Sequence, residues 1–516
     1  MNSPVRLVRG FFTVGVWTLA SRILGFLRDI LMAAFLGAGP VAEAFLIAFS
    51  LPNMFRRFFA EGAFNMAFVP MFAKRVEAGA DAEGFASDAL SGLAAVLLVL
   101  MALAHLAMPW LVYAMASGFA GDARFGLAVD YGRIAFPYIL FISLTALFSG
   151  ALNATGRFAA AAAAPVALNL VFIAAILLAA RAGWDMGLTL AWAVPVAGVV
   201  QLALTWWASA HAGLRLRLRR PRLTPELRRL AVIAAPALLA GGVVQINLIV
   251  GRQVASFTEG AVAWLSYADR LYQLPLGVVG IAIGVVLLPD LSRRLRAGDE
   301  GGGQHAFSRA TEFALALTLP AAAALVVVPV PLVSVLFQRG AFDAADTAAT
   351  ALALAVYGAG LPAFVLQKVL QPLYYAREDT RRPFNYAVVA MLVNAALAVG
   401  LSHVIGFVAA AIGTTLAGWV MAWQLWRGVR GMGTAAEPDA RLRRRLLRIL
   451  AATAAMAAGL WLMAAALGPA WADPVWRGPA LAGLVVAGMA LYAVAAQVFG
   501  AFTLVDLRSA LRRDRR

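Results

Sequence analysis

The sequence predicts an all-α polytopic membrane protein with about fourteen transmembrane helices. Three observations carry that expectation. The 516 residues are 62% hydrophobic and only 13% charged, with a mean hydropathy of +0.81, which sets the chain apart from soluble globular proteins. Apolar runs long enough to cross a bilayer, at ~20 residues per span, recur from end to end. The net charge of +17 lies mostly in short loops between those runs, where arginines orient membrane helices. That placement argues against a nucleic-acid partner. With no cysteine in the chain, disulfides and thiolate metal sites are excluded.

Taken in order, the spans are expected at roughly 11–36, 41–72, 87–112, 127–152, 158–180, 187–210, 231–256, 261–289, 307–337, 344–375, 384–402, 405–427, 446–468 and 478–503. Val5-Arg6-Leu7-Val8-Arg9 imitates a signal peptide, but the apolar run behind it is too long and contains arginines, so an uncleaved first span is expected. One set of loops is rich in arginine: Arg215 to Arg229, Arg293 to Arg296, Arg377 to Arg382, Arg427 to Arg445, and the tail from Arg508. The alternating set (GFAGDA, RAGWDM, SFTEGA, GPAWADP) is nearly neutral. The positive-inside rule then places both termini in the cytoplasm, as an even span count also requires.

Pro137, Thr155, Arg157 and Asn169 recur as Pro362, Thr380, Arg382 and Asn394. The stretch 32–52 is echoed at 254–275. Such a repeat implies two six-helix lobes related by a pseudo-two-fold axis along the membrane normal, with two extra C-terminal helices. The expected organisation is an N-lobe at 1–212, a basic cytoplasmic linker at 213–230, a C-lobe at 231–430, and spans thirteen and fourteen with a basic tail at 431–516.

The chemistry concentrates in the hairpin from Phe11 to Pro70. Its first span carries Arg22 and Arg28-Asp29, with Arg22, Gly25 and Asp29 on one helical face. Its second span begins near Glu43, is interrupted by Pro52, and carries Arg56, Arg57 and Glu61. An arginine at mid-bilayer costs ~2.5–3.5 kcal/mol on insertion scales, so these side chains must face water, protein or an anion. The echo in span eight supplies Asp269 and Arg270, followed by Pro275, Gly277 and Gly280, which make that helix bendable. The site reading is a cationic cavity of Arg22, Arg28, Arg56 and Arg270, with Asp29, Glu43, Glu61 and Asp269 as supporting charges and Pro52, Pro275, Gly277 and Gly280 as hinges. Guanidinium groups bind phosphate oxygens in bidentate fashion. The competing structural readings are ion pairs: Arg22 or Arg28 with Asp29 or Glu43, Arg270 with Asp269, and Arg56 and Arg57 at an interface. The alternating LRLRLRRPRL after span six reads as a linker lying on anionic headgroups.

No catalytic constellation is present. The four histidines are scattered without ligand spacing, and neither a GxxxxGK[ST] loop nor a nucleophile elbow occurs. The chain is therefore expected to be no enzyme and to need no metal or cofactor. Membrane potential or an ion gradient is the expected energy source.

SRILGFLRD (21–29), LPNMFRRFFAEGAFNMAFVP (51–70), FPYILFISL (136–144) and YADRLYQLP (267–275) resemble the bacterial lipid II flippase family, MurJ or MviN, of the multidrug/oligosaccharidyl-lipid/polysaccharide (MOP) exporter superfamily. The resemblance runs along essentially the whole chain. It implies a fourteen-helix inner-membrane protein of peptidoglycan biosynthesis. Such a protein would move lipid II (undecaprenyl-pyrophosphoryl-MurNAc-pentapeptide-GlcNAc) from the cytoplasmic to the periplasmic leaflet by alternating access. The family's cavity arginines match Arg22, Arg28, Arg56 and Arg270, with Glu43 where relatives often have Asp. Spans thirteen and fourteen would form a groove for the polyprenyl tail. A sodium site known in some relatives has no counterpart carboxylates around Gln367, Lys368 and Gln371. Expected partners are lipid II, membrane lipids and other cell-wall synthesis proteins. The alternatives are an exporter of another lipid-linked glycan or small molecule in the superfamily, or a non-transporting scaffold for envelope synthesis.

Overall fold

A computed structural model describes residues 4–56 and 64–502. Among the described residues there is no β-strand, and nineteen α-helices follow one another. In chain order they are α1 (Pro4–Leu36), α2 (Pro40–Arg56), α3 (Phe64–Glu77), α4 (Ala82–Leu106), α5 (Met108–Met115), α6 (Ala123–Ala135), α7 (Tyr138–Ala154), α8 (Ala159–Ala182), α9 (Met186–His211) and α10 (Pro225–Ala255). The series continues with α11 (Ala261–Arg296), α12 (Glu300–Val327), α13 (Pro329–Phe337), α14 (Ala344–Tyr375), α15 (Arg381–Ile405), α16 (Val408–Val429), α17 (Ala440–Ala466), α18 (Gly468–Ala472) and α19 (Arg477–Val498).

Local chemistry sets the helix ends. Asp81, Asp185, Asp299 and Asp439 each accept a hydrogen bond from a backbone N–H in the first turn of α4, α9, α12 and α17. Asp343 and Asp346 form a reciprocal capping box on α14. Prolines punctuate spans where they fall in a first helical turn, as at α5 and α13. Pro52 does not interrupt α2, and Pro275 lies inside a continuous α11. The interruption expected at Pro52 is therefore absent. A proline deep in a helix removes one hydrogen bond and crowds the preceding turn, which bends a helix without ending it.

Ten helical stretches among the described residues are long and apolar enough to cross a membrane. Their outward faces carry large apolar side chains, for example Val99 at 61%, Leu103 at 58% and Trp207 at 58% exposure. Lipid, not water, solvates such surfaces.

The chain forms two compact units: Met1–Ala263 with Arg339–Phe342, and Trp264–Gln338 with Asp343–Arg516. The division differs from the linker boundary at 213–230 read from the repeat. The reason is α10, which packs against α3, α4 and α5 of the first unit; its Gln253, and Ser256 that caps its C-terminal end, bond Ser117 and Gly118. The internal repeat is visible in the helix starts. Ala159 and Arg381 (α8, α15) and Met186 and Val408 (α9, α16) are each 222 residues apart. Within the first unit, Phe68, Phe72, Phe85, Leu147 and Phe148 form a core. Within the second, Val279, Ile283, Leu287, Phe307 and Val369 do so. The last two long helices attach to α12: α17 packs on α12, α19 packs on α17, and the Tyr492 hydroxyl donates to Ala316 O at 2.8 Å. Buried Glu312 of α12 accepts hydrogen bonds from Arg309, Arg441 and Arg445, tying α17 down at its basic end.

The first unit also holds residues 339–342 by a close backbone contact. Ala341 N–H donates to Ala34 O at 2.8 Å. Gly37 has φ +65° and Gly340 has φ +58°. A Cβ on Gly37 would lie 2.4 Å from Ala341 O, and one on Gly340 would lie 2.1 Å from Ala34 O. Gly37→Ala or Gly340→Ala should therefore cost at least ~1–2 kcal/mol from the left-handed backbone alone, with the clash in addition. Thermal unfolding in detergent checks this, and an unchanged midpoint for both variants would contradict it.

Candidate functional site

In the first unit, the charged residues of α1 occupy two different environments. Arg22 is exposed, and among the described residues it has no hydrogen-bonded or ion-paired partner. Arg28, two turns on, is 7% exposed and fully engaged. Its Nε and Nη2 donate to Asp29 Oδ1 at 3.1 and 2.8 Å. Its Nη1 donates to Asn169 Oδ1 of α8 at 3.1 Å. Its guanidinium also sits 5.5 Å from the centroid of the Phe172 ring. Asn169 in turn donates to Ser21 O at 3.0 Å. Gly25 of α1 faces that amide, and a Cβ there would make an ordinary van der Waals contact with Asn169 Nδ2 at 3.4 Å. Arg28 is thus both a buried cation and a tie between α1 and α8, and of the two pairings read from sequence Asp29 is the one that forms.

Glu43 is placed elsewhere. It is fully buried near the start of α2, where it accepts from Arg124 Nη1 at 2.9 Å and from Val262 N–H at 3.0 Å. It does not pair with Arg22 or Arg28. Arg124 of α6 also bonds Asp122 through Nε and Nη2, at 2.9 and 2.7 Å, and lies 4.3 Å from the Phe119 ring centroid. The Arg124 hydrogen bond holds the Asp122 carboxyl, on the loop before α6, below its ordinary pKa. The stability that Asp122 contributes is full above the unfolded-state pKa and is lost as pH falls through the lower folded-state value. Arg124 escaped the sequence reading. Its one signal is the Asp122-Ala-Arg124 triplet after a glycine-rich turn. Arg56 closes α2 half-buried. Arg57 and Glu61 lie outside the described residues.

In the second unit, Arg270 is exposed on α11, and its neighbour Asp269 accepts a hydrogen bond from Gln273. One turn beyond Pro275, Gly280 lies against the Lys368 stem of α14, where a Cβ would sit 3.1 Å from Lys368 Cδ. Lys368 is exposed, while neighbouring Gln367 donates to Gly418 O at 2.8 Å. Lys368 is a further exposed cation of this unit, which the sequence reading noted only for the missing carboxylates around it. Gly277 and Gly280 both fall inside the continuous α11.

The model of the family "Lipid II flippase MurJ" matches residues 32–473. The chain belongs to this family. A probable lipid II flippase MurJ of Rhizobium tropici is 50% identical over 427 residues, covering 81% of this chain and 80% of the relative. A lipid II flippase MurJ of Burkholderia cenocepacia is 39% identical over 402 residues, covering 76% of this chain and 77% of the relative. A solved lipid II flippase MurJ in an inward closed conformation superposes with a TM-score of 0.79 at 23% identity, covering 94% of this chain and 98% of that one. An inward-facing multidrug resistance MATE family transporter of the MOP superfamily superposes at 0.68 with 17% identity, covering 81% of this chain and 96% of that one. At those identities the structures establish a shared fold. The arginines of this MurJ family member are thus set in a transporter fold.

Proposed function

We propose that this chain is a lipid II flippase of the bacterial inner membrane, working by alternating access and not by catalysis. The observation that carries the reading is membership of the MurJ family over 32–473, joined to arginines kept within apolar helices. In the first unit the cations assigned to the pyrophosphate are Arg22 and Arg28; in the second unit, taken by itself, the cation is Arg270. Arg22 and Arg270 are exposed and can contact it directly, while Arg28, already held by Asp29 and Asn169, contributes field and sets the geometry of α1 against α8. Bending of α11 at Pro275, Gly277 and Gly280 accommodates the change of access. The polyprenyl tail runs along α17 and α19. The arginine-rich loops face the cytoplasm, with both termini on that side, and an ion gradient or the membrane potential resets the cycle.

The test is made in cells depleted of their own flippase, at matched membrane levels, by scoring lipid II cleavable from outside. The unsubstituted chain should restore it. Arg22→Ala should reduce the rate by about 10–100-fold, the worth of a lost charge-assisted contact. Its thermal midpoint should be unchanged, because among the described residues Arg22 has no hydrogen-bonded or ion-paired partner to lose. Restoration of growth without externally cleavable lipid II would favour a scaffold. Export of another lipid-linked glycan with no lipid II at the surface would favour a different exporter of the same superfamily.

A further inference from the structure

Residues 214–224, between α9 and α10, form an extended segment docked along α4. Arg217 N–H donates to Ser87 Oγ at 3.2 Å and Arg219 N–H to Ser91 Oγ at 2.8 Å. The two serines are one helical turn apart, matching the two-residue repeat of an extended chain. Leu216, between the first arginines, is 7% exposed and joins the core formed by Phe85 and Leu230. The docking fixes which side chains face outward. Arg215, Arg217, Arg219, Arg220 and Arg222 are all exposed, and residues 214–223 contain no carboxylate. Between them Leu218 and Leu223 stand 70% and 83% exposed. The depth of the segment is set by α4: beyond Ser91 that helix has no charged residue and only His105 among its titratable side chains. The segment therefore lies where the polar part of α4 gives way to its apolar part.

We infer that residues 214–224 are a preordered strap that binds the surface of an anionic phospholipid bilayer, with its arginines on lipid phosphates and Leu218 and Leu223 inserted among the upper acyl chains. Five cations with two apolar anchors match a bilayer interface in both charge and depth. Two backbone hydrogen bonds and buried Leu216 have already ordered the chain, so binding does not have to. The strap is independent of the residues assigned to lipid II and goes beyond that assignment.

The cysteine-free chain makes the test direct. Leu218→Cys creates a single thiol for an environment-sensitive dye, and the full chain is reconstituted in nanodiscs of phosphatidylcholine alone or mixed with phosphatidylglycerol. The dye should shift to the blue and be quenched by doxyl-labelled acyl chains only with phosphatidylglycerol. High salt, or Arg217→Gln with Arg219→Gln and Arg220→Gln, should abolish both effects. The unsubstituted chain provides a second readout: phosphatidylglycerol should slow trypsin cleavage between 215 and 222 by about fivefold or more, what one arginine's attraction to an anionic surface is worth. A dye in water with either lipid, or equally inserted in both, overturns the inference. Dye burial in native membranes but not in phosphatidylglycerol nanodiscs also overturns it, in favour of a protein partner.

Discussion

Glu43→Ala is expected to lower stability by about 3–5 kcal/mol, the usual result of removing one partner from a buried ion pair. Glu43 has no exposed surface, and its two oxygens satisfy the Arg124 guanidinium and the Val262 N–H. Alanine leaves Arg124 with Asp122 as its remaining carboxylate and removes the acceptor that Glu43 offers to the Val262 N–H. Because both residues act through one contact, Glu43→Ala/Arg124→Ala should cost less than the sum of the single substitutions. Glu43→Asp, one methylene shorter, should lose one of the two bonds and fall between wild type and alanine. Thermal unfolding in detergent across this cycle is the check. Additive single-site effects would show that the pair does not couple.

The second large effect is expected at Arg28. Arg28→Ala removes the tie between α1 and α8, leaves Asp29 buried without its guanidinium, and takes from Asn169 Oδ1 its donor. A loss of about 3–5 kcal/mol follows from the buried pair, and transport should be abolished even where the protein still inserts. Arg28→Lys is the informative variant. An ammonium supplies the charge but cannot make the parallel bonds to Asp29 and reach Asn169 together. It should recover part of the stability and little of the transport. Full transport by Arg28→Lys would mean that charge alone matters at this position. Arg22→Ala makes the opposite pattern, with transport lost and stability kept, so the two arginines separate a contact with substrate from a structural tie.

Much of this was legible in the sequence because it is written in local pattern. Apolar runs gave the helices, and α14 spans 344–375, as the run predicts. The recurrence of Asn169 at Asn394 announced matching helices, and α8 and α15 each bury that asparagine. Arginines within apolar runs announced that Arg22, Arg28 and Arg270 needed an explanation. The partners were not legible. Arg28 reaches Asn169 across 141 positions and Glu43 reaches Arg124 across 81, and no local spacing encodes such pairings. Proline was ambiguous for a related reason: in a first turn, as at α5, it punctuates the span, whereas Pro52 sits inside α2 without ending it. The assignment of α10 to the first unit depends equally on distant contacts, through Ser117 and Gln253.

The most direct test of a cationic flippase uses the purified chain in proteoliposomes loaded with lipid II in the inner leaflet. An externally added hydrolase that cuts its pyrophosphate link then reports arrival at the outer leaflet. The unsubstituted chain should deliver lipid II far faster than protein-free liposomes, and Arg22→Ala, folded and inserted to the same level, should barely exceed that background. Transport by Arg22→Ala at the unsubstituted rate, or no transport by the unsubstituted chain, would contradict the account.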